Sequence, residues 1–349
     1  MFNIVFITIF GGLLLSGLFW GFKTLPSERW QMIASVPIVK KTDGVWRGIN
    51  LTYYGFFSAT GTTVGVALMM LFMLSIGVPL LLTAGFIITM VALCLPASRL
   101  VAAIVEHKHN TFTIAGAAFV AALLLPPLSW AAQQILRTQL NVEFHLLPLL
   151  AGAAVAYAIG ESIGRLACIS FGCCYGTPLR EANPAVAKLF RPYGLVLQGH
   201  TKKAAYASGL AGEPLVPVQV LTSLLFALAG LAGMALFLGH KWRAAALVPI
   251  VFTWGWRAVS EALRADFRGN GRISSYQVLS LIALAYLVLV TSLVPSEGTP
   301  PSLSLGFSQL LSLPVIIGLQ AFWMTLFLYY GRSRVTASTV SFHVIPDQI

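Results

Sequence analysis

Charged side chains are scarce in this sequence of 349 residues. Asp, Glu, Lys and Arg make up 9% of it, whereas apolar types make up 57%. Because a water-soluble domain carries roughly 25% charged residues, the composition excludes a soluble fold and is typical of a chain that lies in lipid. The formal net charge is +11. The basic residues lie in loops and at helix ends, which indicates contact with anionic lipid headgroups and not with nucleic acid.

Cysteine is also rare, with four in the chain. Four cysteines are too few for a disulfide scaffold in a chain of this length. Three of them, Cys168, Cys173 and Cys174, lie within seven residues and therefore belong to one local feature. Cys94 is expected to be an ordinary core residue.

Apolar segments long enough to cross a membrane recur along the chain, since a helix needs about 20 residues to span the hydrocarbon core. We expect an all-α polytopic membrane protein with about nine transmembrane helices and a small polar head. The predicted spans are residues 3–22, 50–76, 79–105, 112–135, 147–170, 215–239, 244–263, 275–295 and 309–331. The first has no basic residue before it and no small-residue cleavage site after it, which favours a retained helix over a signal peptide.

Two connections are long and basic. Residues 23–49 are predicted to form a basic loop, and residues 171–214 a head of short helices or strands, because prolines interrupt it. Residues 332–349 are predicted to be a tail. The side that holds these segments carries nineteen of the 22 Lys and Arg residues, and the positive-inside rule would make it cytoplasmic.

Charged residues in two predicted helices share common faces. The fifth span carries three polar residues at i, i+4 and i+7: Glu161, Arg165 and Cys168. The seventh span extends the same spacing to i+11: Arg257, Glu261, Arg264 and Arg268. Four cations against two anions predict a positive pocket that a lipid phosphate can fill, because arginine binds phosphate oxygens bidentately. The alternative is a set of interhelical ion pairs whose spare arginines extend to water.

Five segments resemble, in order, the motifs of the prolipoprotein diacylglyceryl transferase family, which moves diacylglyceryl from phosphatidylglycerol to a lipobox cysteine. They are LTYYGFFSATG (51–61), ASRL (97–100), Gly164 and Arg165 followed by Gly172 and Gly176, PVQ (217–219) and WRAVSEALR (256–264). The resemblance covers residues 50–295 and seven spans. It leaves residues 1–22 and 309–331 as an extra transmembrane helix at each end.

The resemblance implies a membrane transferase with an anionic, phosphatidylglycerol-like phospholipid as its donor and no cofactor. It implies that Arg165 and Arg257 grip the phosphate and take part in catalysis. Together with the charged faces it predicts seven further substrate-binding residues: Tyr54, Arg99, Glu161, Cys168, Gln219, Glu261 and Arg264. It places the protein in the bacterial cytoplasmic (inner) membrane with its site on the outer face, against the side favoured by the charge count.

The sequence departs from the family in its acid and base residues. The family's two asparagines and glutamate fall on Cys168, Phe171 and Cys173, and its histidine falls on Ala115. The acceptor is therefore expected to differ from a prolipoprotein and could be a protein thiol, a glycan or a lipid. Cys173 is predicted to be catalytic, because a neighbouring arginine would lower the pKa of its thiol.

Several alternatives stay open. The three clustered cysteines could be small packing residues or a redox pair; a metal site is not expected, because no fourth ligand lies at normal spacing. His107 or His109 could supply a general base. One alternative function is a transporter or flippase of an anionic amphiphile, which would also need a positive intramembrane face. Another is a membrane thiol oxidoreductase, which would use the cysteines.

Overall fold

The computed structural model describes residues 1–106, 114–140, 145–266 and 273–349, and most of these are helical. The helices are α1 (Phe2–Thr24), α2 (Tyr53–Ser75), α3 (Leu80–Glu106), α4 (Ile114–Leu140), α5 (Leu146–Phe171), α6 (Pro184–Phe190), α7 (Lys203–Ser208), α8 (Val218–Leu238), α9 (Trp242–Glu261), α10 (Ser275–Leu293), α11 (Leu303–Leu310) and α12 (Leu313–Gly331). The strands are β1 (Met32–Lys40), β2 (Trp46–Thr52), β3 (Leu195–Val196), β4 (Pro214–Leu215) and β5 (Arg332–Val340).

A long helix lies at each of the nine predicted spans. Eight helices of the described chain are long and apolar enough to cross a membrane: α1, α2, α3, α4, α5, α8, α10 and α12. The ninth, α9, is 20 residues long but carries Arg243, Arg257 and Glu261, which make it less apolar. It packs against α5, α8 and α10 within the bundle. The prediction of a polytopic helical membrane protein is confirmed.

Helices α2 and α5 cross at small residues in the centre of the bundle. A Cβ atom added to Gly61 would lie 2.5 Å from the carbonyl oxygen of Gly160, and one added to Gly65 would lie 3.2 Å from that of Ala156. The segment GTTVG (61–65) therefore acts as a GxxxG packing motif, which lets two backbones approach closely. This contact sets α5, with its charged residues, directly beside α2.

Replacing Gly61 by leucine is expected to destabilise the bundle, because the new side chain would overlap the backbone of α5. Overpacking of this kind costs about 1–3 kcal/mol or more, and here the nearest neighbour is backbone that cannot turn aside. Thermal unfolding in detergent, followed by size-exclusion chromatography, measures the effect. Gly85→Leu is the control, because a Cβ atom at Gly85 on α3 meets no atom within 4 Å in the described structure. Equal unfolding temperatures for the two variants would contradict the prediction.

The predicted basic loop at residues 23–49 contains a β-hairpin instead. Strands β1 and β2 pair antiparallel, and β5 from the tail pairs with the other edge of β2. Side-chain hydrogen bonds join the three strands: Ser35 Oγ donates to Asn50 Oδ1 (2.6 Å), and Asn50 Nδ2 donates to Thr336 Oγ1 (3.1 Å). Asn50 and Thr336 are 286 residues apart in the chain. The hairpin itself is local and turns at Asp43 and Gly44, a turn signal that the prediction missed. The pairing of β2 with β5 joins distant parts of the chain, and local sequence patterns do not reveal it.

The head, residues 171–214, consists of short helices and strands, as its prolines predict. The segment after α1 holds it against the end of α5. Gln31 Nε2 donates to the carbonyl oxygen of Thr201 (2.8 Å), and Lys202 Nζ donates to the carbonyl oxygens of Leu25 (3.0 Å) and Ser170 (2.8 Å). Burial lowers the pKa of Lys202 to about 8. Because Ser170 lies in the last turn of α5, the ammonium group also caps that helix.

Candidate functional site

A sharp turn at the end of α5 creates the first part of the site. Gly172 adopts a left-handed conformation (φ 74°), and the N–H groups of Gly172 and Cys173 donate to the carbonyl oxygen of Cys168 (2.8 and 3.1 Å). Cys174 also has a positive φ of 56°, which is unusual for a residue with a side chain. A Cβ atom at Gly176 would lie 2.2 Å from the Val216 carbonyl oxygen. The chain therefore folds back tightly, with its cysteines beside the charged face of α5.

Glu161 joins the two arginines that were predicted to grip a phosphate. Its Oε1 atom accepts hydrogen bonds from Arg165, one turn along α5, and from Arg257 Nη2 on α9 (2.8 Å). Arg257 Nε also donates to the hydroxyl of Tyr157 (2.7 Å), and the guanidinium lies over the ring of Trp254. The side chain of Arg257 is only 9% exposed. One carboxylate thus holds two guanidinium groups together inside the bundle.

The helical part of the predicted charged stripe on α9 ends at Glu261. The following chain pairs with the head: Thr177 N–H donates to the Leu263 carbonyl (2.9 Å) and Ala265 N–H to the Tyr175 carbonyl (3.1 Å). The expectation of one charged helix face is wrong here because these backbone contacts replace helical ones. Arg268 lies outside the described residues.

Arg264 still reaches the site from this non-helical segment. Its Nε and Nη2 atoms donate to the two carboxylate oxygens of Asp266, both at 2.7 Å, and Nη1 donates to Glu261 Oε1 (3.1 Å). Asp266 and Lys203 are site residues that the sequence patterns did not indicate. In the described part of the site, four cations therefore face three anions: Arg165, Lys203, Arg257 and Arg264 against Glu161, Glu261 and Asp266.

A cavity of about 650 Å³ extends from this charged cluster into the bundle. Most of its lining is apolar, including Met69 on α2, Phe86 on α3 and Leu125 on α4. Ala154 and Arg165 both line it and are eleven residues apart on α5, or about 16 Å along the helix axis. The cavity has the size of a small-molecule site, with its charges gathered at the end nearest the head.

Most of the predicted site residues line this cavity. They are Tyr54, Glu161, Arg165, Cys168, Cys173, Arg257, Glu261 and Arg264. Arg99 is exposed and donates instead to the hydroxyl of Tyr329 (2.5 Å), so the structure places it apart from the charged cluster. His107 and His109, the suggested bases, lie outside the described residues.

Gln219 lines a smaller polar cavity of about 20 Å³ beside the charged cluster. Its Nε2 atom donates to the Cys173 carbonyl (3.0 Å), which fixes the orientation of the amide. Two buried atoms here, Gln219 Oε1 and Arg165 Nε, have no hydrogen-bond partner in the described part of the chain. One is an acceptor and the other a donor, and leaving both unpaired is costly. A ligand hydroxyl or a water molecule can satisfy them, since the space holds one such group.

The three clustered cysteines bring their Sγ atoms within 4.8 Å of one another, and Cys168 and Cys174 are 3.9 Å apart. All three are reduced. The pKa of Cys173 is raised well above its usual value. Hydrogen bonds with the thiols of Cys168 and Cys174 are the largest causes, and burial of the thiol is the next. The expectation of a lowered pKa is wrong for this thiol, because burial and the neighbouring thiols raise it. Cys173 is therefore a neutral thiol in this structure at neutral pH.

The comparison with protein families agrees with this architecture. The family model described as prolipoprotein diacylglyceryl transferase matches residues 45–293. That range is close to the 50–295 covered by the sequence resemblance and leaves out α1 and α12. The comparison with curated proteins gives no significant match.

Proposed function

The chain belongs to the prolipoprotein diacylglyceryl transferase family, and on this premise we propose that it transfers a lipid group from an anionic phospholipid to an acceptor other than a prolipoprotein. The family consists of membrane lipid transferases. The donor that fits best is phosphatidylglycerol or a close relative, and the group transferred is a diacylglyceryl, phosphoglyceryl or related unit. We place the reaction in the bacterial inner membrane, with the outer face favoured by the resemblance.

The cavity is the observation that supports an anionic phospholipid as the donor. Its apolar length accommodates acyl chain, and its charged end offers Arg165, Arg257 and Lys203 to a phosphate. A bound phosphate would accept hydrogen bonds from guanidinium groups that now share one oxygen of Glu161. An anionic headgroup fits this end better than a zwitterionic one, because the described cations outnumber the anions by one.

The headgroup of phosphatidylglycerol also carries free hydroxyls, for which the small polar cavity supplies partners. A hydroxyl there can accept from Arg165 Nε and donate to Gln219 Oε1, the two buried atoms left without partners among the described residues. A site that pairs both atoms rejects a donor lacking the hydroxyl, because the two protein atoms would then stay buried and unpaired. This pairing supports a glycerol headgroup over a headgroup without hydroxyls.

The acceptor is proposed to differ because the acid and base groups implied by the resemblance are replaced by thiols. The raised pKa of Cys173 argues against this thiol acting as a base in place of the carboxylate. We keep Cys173 as a candidate acceptor or acid. Its test is Cys173→Ser, which preserves size and hydrogen bonding but changes the acidity of the group.

Expression in a strain depleted of its prolipoprotein diacylglyceryl transferase tests the acceptor. We expect no rescue of growth and no diacylglyceryl-modified prolipoprotein by mass spectrometry. Lipid analysis of a strain lacking this protein tests the donor, and we expect a lipid-linked product to disappear and to return with the wild-type chain but not with Arg257→Ala. Rescue of growth would contradict the proposed acceptor, and identical lipids in all strains would contradict the proposed transfer.

A further inference from the structure

The sequence predicts no metal site because a fourth ligand is missing, but the structure brings the three thiols at the end of α5 close enough to share one ion. We propose that Cys168, Cys173 and Cys174 bind a single thiophilic d¹⁰ cation, Zn²⁺ or Cu⁺, with its remaining coordination position facing the 650 Å³ cavity. All three residues line that cavity. Cys173 is also the candidate acceptor or acid of the proposed function, but metal binding is measured without the transferase reaction, so either proposal can fail alone.

The distances between the sulfur atoms suit one ion. With metal–sulfur bonds of about 2.3 Å, two thiolates on the same ion are separated by roughly 3.8 Å in tetrahedral and 4.0 Å in trigonal geometry. Cys168 and Cys174 have this separation already, at 3.9 Å, and the third sulfur lies within 4.8 Å of both. Binding therefore requires a movement of less than about 1 Å, which a side-chain torsion supplies.

The backbone holds the ligands in place before an ion arrives. Cys168 is fixed in the last turn of α5, and its carbonyl accepts the N–H groups of Gly172 and Cys173. The Cys173 carbonyl is held by Gln219. Cys174 keeps a left-handed backbone that costs free energy for a residue with a Cβ atom. Such strained residues concentrate at functional sites, where the surrounding structure maintains them.

Without an ion, burial and the neighbouring thiols keep Cys173 neutral. The nearby positive charges stabilise the thiolates that form when the ion displaces the protons. Arg165, Arg264 and Lys203 interact electrostatically with the cluster. Binding converts three thiols into three thiolates and releases three protons to water, so Zn²⁺ gives a complex of charge −1 and Cu⁺ one of charge −2. Positive side chains compensate for that charge. Sulfur ligands select Zn²⁺ or Cu⁺ and disfavour Mg²⁺ and Ca²⁺, which prefer oxygen.

Cadmium titration of the purified, reduced protein in detergent is the direct test, because thiolate–Cd²⁺ bonds give an ultraviolet charge-transfer band. We expect one equivalent of Cd²⁺ to bind, and Cys168→Ser, Cys173→Ser and Cys174→Ser each to weaken binding at least tenfold. Cys94→Ser is the matched control and is expected to bind as the wild type does. Competition with Zn²⁺ and, separately, with Cu⁺ then shows which of the two ions the site prefers.

A second measurement needs no variant and so does not depend on how the serine proteins fold. Maleimide labelling of the unfolded wild type modifies all four cysteines and sets the reference. In the folded protein, Zn²⁺ or Cu⁺ bound before labelling is expected to slow the modification of the three clustered thiols and to leave Cys94 unchanged. Labelling rates equal with and without the ion, or Cd²⁺ binding that survives all three single substitutions, would overturn the proposal. A disulfide within the cluster in protein purified anaerobically would overturn it also.

Discussion

Arg257→Ala is expected to lower phosphatidylglycerol-dependent turnover by about 10²–10³-fold, the usual cost of removing one preorganised donor from a reaction centre. Arg257 lies at the charged end of the 650 Å³ cavity, and Glu161 holds it close to Arg165. Consumption of labelled phosphatidylglycerol in membranes measures turnover. Lipid retained by the purified protein, measured by mass spectrometry, reports binding separately.

Arg257→Lys tests whether a positive charge alone is enough for activity or whether the planar guanidinium group is needed. The lysine keeps a positive charge but cannot donate at once to Tyr157, Glu161 and a phosphate from one planar group, so we expect it to recover only a small part of the activity. Arg180→Ala is the control, because Arg180 lies in the head and forms exposed ion pairs with Glu181 and Glu213. Full turnover in both Arg257 variants would contradict the proposal that this residue binds the phosphate.

Local patterns in the sequence predict much of this fold. Apolar length locates the membrane helices, and α9 is recognised in spite of its charges because residues 244–256, between Arg243 and Arg257, carry no charge. The spacing of Gly61 and Gly65 predicts a helix-packing contact, since small residues four apart lie on one helix face. The same spacing rule predicts that Arg165 lies beside Glu161. Each of these features depends on neighbours within one or two turns of a helix.

Features that depend on distant contacts are not predictable in this way. The sheet needs β5, near the end of the chain, to pair with β2, near its beginning. Lys203 reaches the site only because the head folds back over α5, and Asp266 only because the chain leaves α9 at Glu261. The pKa of Cys173 is likewise not predictable from its neighbours in the sequence. An arginine lies near it in the sequence, but burial and two other thiols determine its pKa.

The ion pair of Glu161 with two arginines leads to a prediction about stability. Glu161→Gln removes the negative charge of this residue and leaves Arg165 and Arg257 close together with an amide between them. Breaking a buried ion pair by removing one partner costs about 3–5 kcal/mol, because the remaining charge stays desolvated. We therefore expect a lower thermal unfolding temperature for Glu161→Gln than for the wild type in neutral detergent. Glu181→Gln is the matched control, because its pair with Arg180 is more than half exposed and such surface pairs contribute little.

Anionic lipid is expected to reverse this loss. If the two arginines bind the phosphate of the donor, a phosphatidylglycerol molecule in the cavity supplies the negative charge that Glu161→Gln removes. A ligand that binds only the folded state stabilises it, and the stabilisation grows with the logarithm of the ligand concentration once this exceeds the dissociation constant. We expect added phosphatidylglycerol to raise the unfolding temperature of Glu161→Gln by more than that of the wild type, and phosphatidylcholine to raise both equally, since its choline group neutralises the phosphate. An equal response of the two proteins to phosphatidylglycerol would show that the arginines serve only to join α5 to α9, and that the donor phosphate binds elsewhere.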